Sequence, residues 1–132
     1  MGSFRAAVEQ RDHEAMVAAL ASDVELHSPV AFRPFAGRES VAGLFTALLD
    51  TFEDFEYTDE LREGDTRALI FRARVGDKHV QGLDLLRLDE DGLIREFTVM
   101  LRPLSALVAI QEAIAAKVDG LSKGEAPKES TQ

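Results

Sequence analysis

The feature that most constrains this chain is a change of hydrophobic period just after residue 52. From Arg38 to Phe52, the residues Val41, Leu44, Phe45, Leu48, Leu49 and Phe52 recur at i, i+3, i+4, i+7, i+8 and i+11. That spacing gathers apolar side chains on one stripe of an α-helix. Beyond it the period becomes two. Phe55, Tyr57 and Leu61 alternate with acids, and Leu69, Phe71, Ala73 and Val75 alternate with Ile70, Arg72 and Arg74, the pattern of strands that bury one face. These strands join near Glu63-Gly64-Asp65. Gly76-Asp77 signals a tight hairpin and Asp89-Glu90-Asp91-Gly92 a longer one, which predicts a four-strand antiparallel meander.

Two short helices are expected ahead of the long one, capped by Ser3 and Asp12, the second carrying Met16, Val17 and Leu20 on one stripe. DVELHSPV puts Val24 and Leu26 on one face of a short strand that Pro29 stops. A loop, AFRPFAG, leads to the long helix. The last strand, LIREFTVMLR, ends at Pro103, which suits the start of a helix carrying Leu104, Leu107, Val108, Ile114 and Val118. The expected domain spans residues 1–119, and 120–132, polar and containing Gly and Pro, read as a flexible C-terminal tail. Helices followed by a meander make an α+β order. A curved, mainly antiparallel sheet wrapped around one long helix leaves a concave apolar mouth, a usual place for a small ligand.

Composition narrows the function. The 132 residues suit one domain, and 45% hydrophobic with 30% charged residues is ordinary globular usage. The chain has no cysteine, which excludes disulfides, thiolate metal sites and a cysteine nucleophile. A net charge of −9 repels phosphate backbones and anionic lipid, so neither nucleic acid nor a membrane is the expected partner. The N-terminal stretch is broken by charge every few residues and reads neither as a signal peptide nor as a membrane span. A cytoplasmic protein is expected. There is no glycine-rich cofactor fingerprint and no histidine pair at metal-ligand spacing on one element. No cofactor and no metal are therefore expected.

The order of elements, with DVELHSPV, GRESVAGLF, GLDLLRLDEDGLIREF and RPLSAL, resembles the SnoaL-like branch of the nuclear transport factor 2-like, ketosteroid isomerase-related superfamily over residues 4–118. The resemblance implies a cone-shaped fold, frequent homodimers through the sheet, and a pocket between sheet and helices. That superfamily includes ketosteroid isomerases, polyketide cyclases, epoxide hydrolases, dehydratases and proteins without catalysis. LDLLRL matches the isomerase pattern and places Asp84 at its hydrogen-bond-donating acid. Two positions depart from it: Ser28 precedes Pro29-Val30 where the isomerase has its proton-shuttling aspartate, and Phe4 aligns with its tyrosine. Genuine ketosteroid isomerase activity is therefore not expected. The epoxide hydrolase arrangement needs a second carboxylate where Val99 stands.

Asp84 lies among Leu83, Leu85 and Leu86, where burial would raise its pKa and make it a proton donor or acceptor. Alternatively it is a structural acid satisfied by a backbone group or by an arginine, Arg72 and Arg74 on the preceding strand being available. His27 carries an imidazole, a side chain suited to passing protons, and stands beside the position of the missing base, so it is a candidate proton shuttle or else a water-facing strand end. His13 and His79 read as surface residues. Phe32, Phe35, Tyr57, Phe97, Val99 and Leu101 are candidate pocket residues, with Phe97 on the wall and Phe32 at the entrance, against ordinary core packing. The acids from Glu53 to Asp65 read as a solvated strand face with Arg62, Arg67, Arg72 and Arg74 as cross-strand partners. The expected function is binding of a small apolar molecule, such as a cyclic ketone or polyketide-like compound, with cofactor-independent isomerase, cyclase or dehydratase-type chemistry. The alternative is a non-catalytic ligand-binding or dimerisation module.

Overall fold

The structure is a computed structural model and describes residues 3–121. The segment expected as a tail lies, past residue 121, outside the described residues. In chain order the elements are α1 (Phe4–Glu9), α2 (His13–Ala18), β1 (Leu20–His27), β2 (Phe35–Ala36), α3 (Arg38–Thr51), β3 (Glu53–Glu63), β4 (Thr66–Val75), β5 (Lys78–Leu88), β6 (Ile94–Arg102) and α4 (Leu104–Leu121). This is an α+β architecture with one curved, unclosed sheet in the order β2-β1-β6-β5-β4-β3.

The local signals explain the elements. Ser3 accepts a hydrogen bond from the Ala6 amide and Asp12 from the Ala15 amide, so each short helix begins at a side chain that satisfies an orphan N–H. The β3–β4, β4–β5 and β5–β6 turns contain Gly64, Gly76 and Gly92, all at positive φ, which explains why the chain reverses there. The expected meander is present, and β1 adds to it by pairing parallel with β6, Leu26 opposite Phe97. No helix among the described residues is long and apolar enough to cross a membrane.

The register fixes which side chains face the helices. Leu26, Phe97 and Leu86 lie side by side on the concave face, followed by Val99, Asp84 and Leu69, then Leu101, Gly82 and Phe71. Phe4 of α1, Phe45 of α3 and Phe97 meet over this face with ring centroids 5.2–5.9 Å apart, joining both helices to the sheet. Gly82 is required at its position: a Cβ there would collide with the Phe71 ring and lie 2.7 Å from Leu101.

One expectation about β3 needs correction. Tyr57 pairs with Phe71, but Asp59 pairs with Ile70, so β3 carries one extra residue at Thr58. Such a bulge reverses the facing of everything beyond it. Leu61 therefore joins the convex face and is 60% exposed, while Glu60 turns toward the concave side and takes Arg5 of α1 at 3.2 Å.

Candidate functional site

Between the concave face and the helices lies a cavity of about 280 Å³. Its interior is apolar, built by Phe45 and Leu48 of α3, Phe71, Phe97 and Val99 of the sheet, and Ile110 of α4. Asp84 is the carboxylate buried in it, 6% exposed. Alternation along β5 aims it inward, with Leu69 and Val99 as its cross-strand neighbours.

Burial pushes the Asp84 carboxyl up to about 7, and a hydrogen bond from the Tyr57 hydroxyl pulls weakly the other way. That bond is long, 3.4 Å between Tyr57 Oη and Asp84 Oδ2. The Tyr57 hydroxyl is itself pushed well above the usual phenol range, first by burial and then by the Asp84 charge. Tyr57 therefore remains a proton donor while Asp84 populates both forms near neutrality.

Tyr57 is held by its neighbours. Phe55 meets its ring edge-on at 4.9 Å, and the Arg5 guanidinium lies over the ring at 5.5 Å. Arg5 is in turn fixed by Glu9 at 3.0 Å and Glu60 at 3.2 Å. The rim of the cavity is polar: Glu9, Arg11 and Asp54 line it and are exposed. Arg11 donates to the Leu49 carbonyl, near the end of α3, at 2.7 Å.

Of the residues singled out in the sequence, Asp84, Phe35, Tyr57, Phe97, Val99 and Leu101 line this one cavity. His27 and Phe32 do not. Leu26 points inward, so its neighbour His27 stands on the convex face beside Thr98, 3.8 Å from Glu25 and 4.0 Å from Glu96. Phe32 sits in the loop after β1 and is fully exposed. The arginines proposed for Asp84 go elsewhere, Arg72 to Glu56 at 3.9 Å and Arg74 to Glu53 and Asp54 at 2.9 Å each. Among the other arginines, Arg62 bonds Glu60 on its own strand and Arg67 donates to the carbonyls of Gly64 and Thr66. His13 is not a bare surface residue, since its Nε2 lies 2.9 Å from the Ala42 carbonyl and 3.1 Å from Thr46 Oγ1 and so ties α2 to α3.

The rim residues and Ile110 of α4 were missed by sequence reasoning. Ile110 is four residues from Ile114, which was named, and carried a readable signal, whereas Leu104 and Val108, read on the same stripe, are exposed. Arg11 and Asp54 carried none, because their facing depends on left-handed backbone at φ 54 and 53. Ser28 and Phe4, the two departures from the isomerase pattern, both line the cavity, and Ser28 Oγ accepts from the Val30 amide at 3.3 Å.

Residues 2–97 match the family described as the SnoaL-like domain, nearly three-quarters of the chain. The chain belongs to the SnoaL-like family. Among solved structures, this SnoaL-like chain is similar to a steroid delta-isomerase from Pseudomonas aeruginosa, with 34% identity and a TM-score of 0.85, covering 89% of this chain and 88% of that one. It is also similar to an uncharacterised protein with a cystatin-like fold from Silicibacter pomeroyi, at 30% identity and a TM-score of 0.84, covering 99% and 94%. An NTF2-like protein of unknown function from Mesorhizobium loti, at 21% identity, shares the fold with a TM-score of 0.68, covering 76% and 85%. None of the curated proteins matches the sequence.

Proposed function

We propose that this SnoaL-like protein binds a compact, largely apolar ring compound bearing an oxygen, such as a cyclic ketone or phenol, and uses Asp84 as its acid–base group. The observation that carries this reading is a buried carboxyl facing an apolar cavity, with the Tyr57 hydroxyl as its weak partner and no arginine paired with it among the described residues. Burial without a salt bridge is costly for an ion and poises the group for proton exchange near neutrality. When protonated, Asp84 donates a hydrogen bond to the ligand oxygen beside the Tyr57 hydroxyl, and when ionised it accepts a proton from the ligand. The cavity lies just below the roughly 300–1,000 Å³ usual for ligand sites, which favours a compact ligand.

The chemistry that fits is cofactor-independent isomerase, cyclase or dehydratase-type proton transfer by a single carboxyl. The similarity to a steroid delta-isomerase supports that class. Ser28 and Phe4 favour a second reading, a pocket that binds without turnover, because neither side chain supplies the base or the hydroxyl of the isomerase pattern. Screening cyclic ketones and phenols for binding, then comparing wild type with Asp84→Asn across pH, tests both. Binding that depends on pH near neutrality, and loses that dependence in the variant, supports the reading. Binding indifferent to Asp84 makes the carboxyl structural, and turnover of a bound ketone separates enzyme from binder.

We also read the convex face of the sheet as a self-association surface, on the strength of Leu61 and Met100, 60% and 51% exposed, beside Ile70, Leu83 and Leu85.

A further inference from the structure

Two non-glycine residues among those described hold a left-handed backbone, Arg11 at φ 54 and Asp54 at φ 53, and both line the rim of the cavity. Side chains with a Cβ adopt this region rarely and at a cost, and such costs gather at ligand-binding sites. The charges there are not equivalent. Glu9 is engaged by Arg5 at 3.0 Å, and Asp54 by Arg74 at 2.9 Å and 3.0 Å, so each rim carboxylate already has a guanidinium. Arg11 is the one basic residue lining the cavity among those described, and its hydrogen bond goes to a neutral acceptor, the Leu49 carbonyl, at 2.7 Å. A guanidinium has five N–H donors, so this bond leaves most of its fork to meet a planar anion.

We propose that the ligand of this cavity is a ring compound carrying a carboxylate, which meets Arg11 at the rim while the ring lies in the apolar interior. The inference rests on the ligand-binding reading above and narrows it to ring carboxylic acids. The chain's net charge of −9 works against an anionic ligand, so a preference for one has to come from a local cation.

The test compares three probes by calorimetry at neutral pH: β-naphthol, its hydroxynaphthoic acid analogue and its aminomethyl analogue. The acid is expected to bind wild type about fivefold tighter than naphthol, the scale of one partly exposed ion pair, with the ammonium weakest. On net charge alone the order would be reversed. Arg11→Gln should erase the advantage of the acid, Arg11→Lys should keep part of it, and Arg72→Gln, which makes the same charge change on the convex face, should keep all of it. Equal binding of acid and naphthol by wild type, or an unchanged preference in Arg11→Gln, overturns the inference and leaves the pocket reading intact. Failure of all three probes to bind wild type sinks the pocket reading and the inference with it. If Arg11→Gln does not fold, the wild-type order of the three probes decides alone.

Discussion

Tyr57 Oη and Asp84 Oδ2 lie 3.4 Å apart inside an apolar cavity, a donor and a carboxyl joined by a bond longer than either would make with an ideally placed partner. Removing the hydroxyl with Tyr57→Phe should cost under about 1 kcal/mol of stability. It should also raise the Asp84 titration further, since the lost bond is the one that pulls it down. Carboxyl-carbon NMR of both proteins reads this, and an Asp84 titration that moves down would contradict the geometry.

Asp84 also ties stability to pH. Its folded pKa of about 7 stands above the ordinary 3.8, so the native state holds the proton more tightly than the unfolded chain. The stabilisation from this proton is complete below the ordinary value and is lost as pH rises through the folded one. Asp84→Asn has no such loss. The stability of the variant relative to wild type should therefore climb from about pH 4 and level off above about pH 7, by a few kcal/mol at most. Denaturant titrations of the pair across that range check it, and a flat difference would mean that Asp84 is not held protonated.

Gly82→Ala should destabilise the domain by about 1–3 kcal/mol, because the new methyl would drive into Phe71 and Leu101 and those rings and branches pack both neighbouring strands. Urea unfolding measures the change, and an unaltered midpoint would show that the sheet yields there.

The convex face gives a prediction about assembly. Sedimentation at about tens of micromolar should find a dimer, a concentration at which a specific interface of ordinary affinity is filled. Leu61→Lys with Met100→Lys should give a monomer, since both side chains are largely exposed on that face and their loss removes no core contact. A wild-type monomer would leave the apolar convex face to another role.

How much was legible in the sequence follows from which forces leave a local trace. The stripe from Val41 to Phe52 announced α3 because one face of it is buried along its whole length. The leucines around Asp84 announced a buried carboxyl without giving its facing, since Leu83 and Leu85 flank it on both sides, and the glycines announced the turns. The bulge at Thr58 left no mark, because Thr58-Asp59-Glu60 is polar throughout and a polar run has no phase to shift. His27 is a candidate through its place beside Ser28, the position of the isomerase base, although alternation with Leu26 sends it to the other face. Nothing near β1 records that its partner is β6, since that pairing joins segments far apart in sequence.

That last pairing has a consequence for how the molecule comes to be made. Among the described strands β1 leaves the ribosome first, and its main partner, β6, leaves last. Leu20, Val24 and Leu26 must therefore wait, sheltered by little more than α3 and the two residues of β2, until the whole meander has been synthesised. Long-range pairings of this kind are slow to form and leave an open strand edge in the interval. Chains arrested before β6 should accordingly be the ones that chaperones capture, while those released beyond α4 can complete the sheet and cover its concave face.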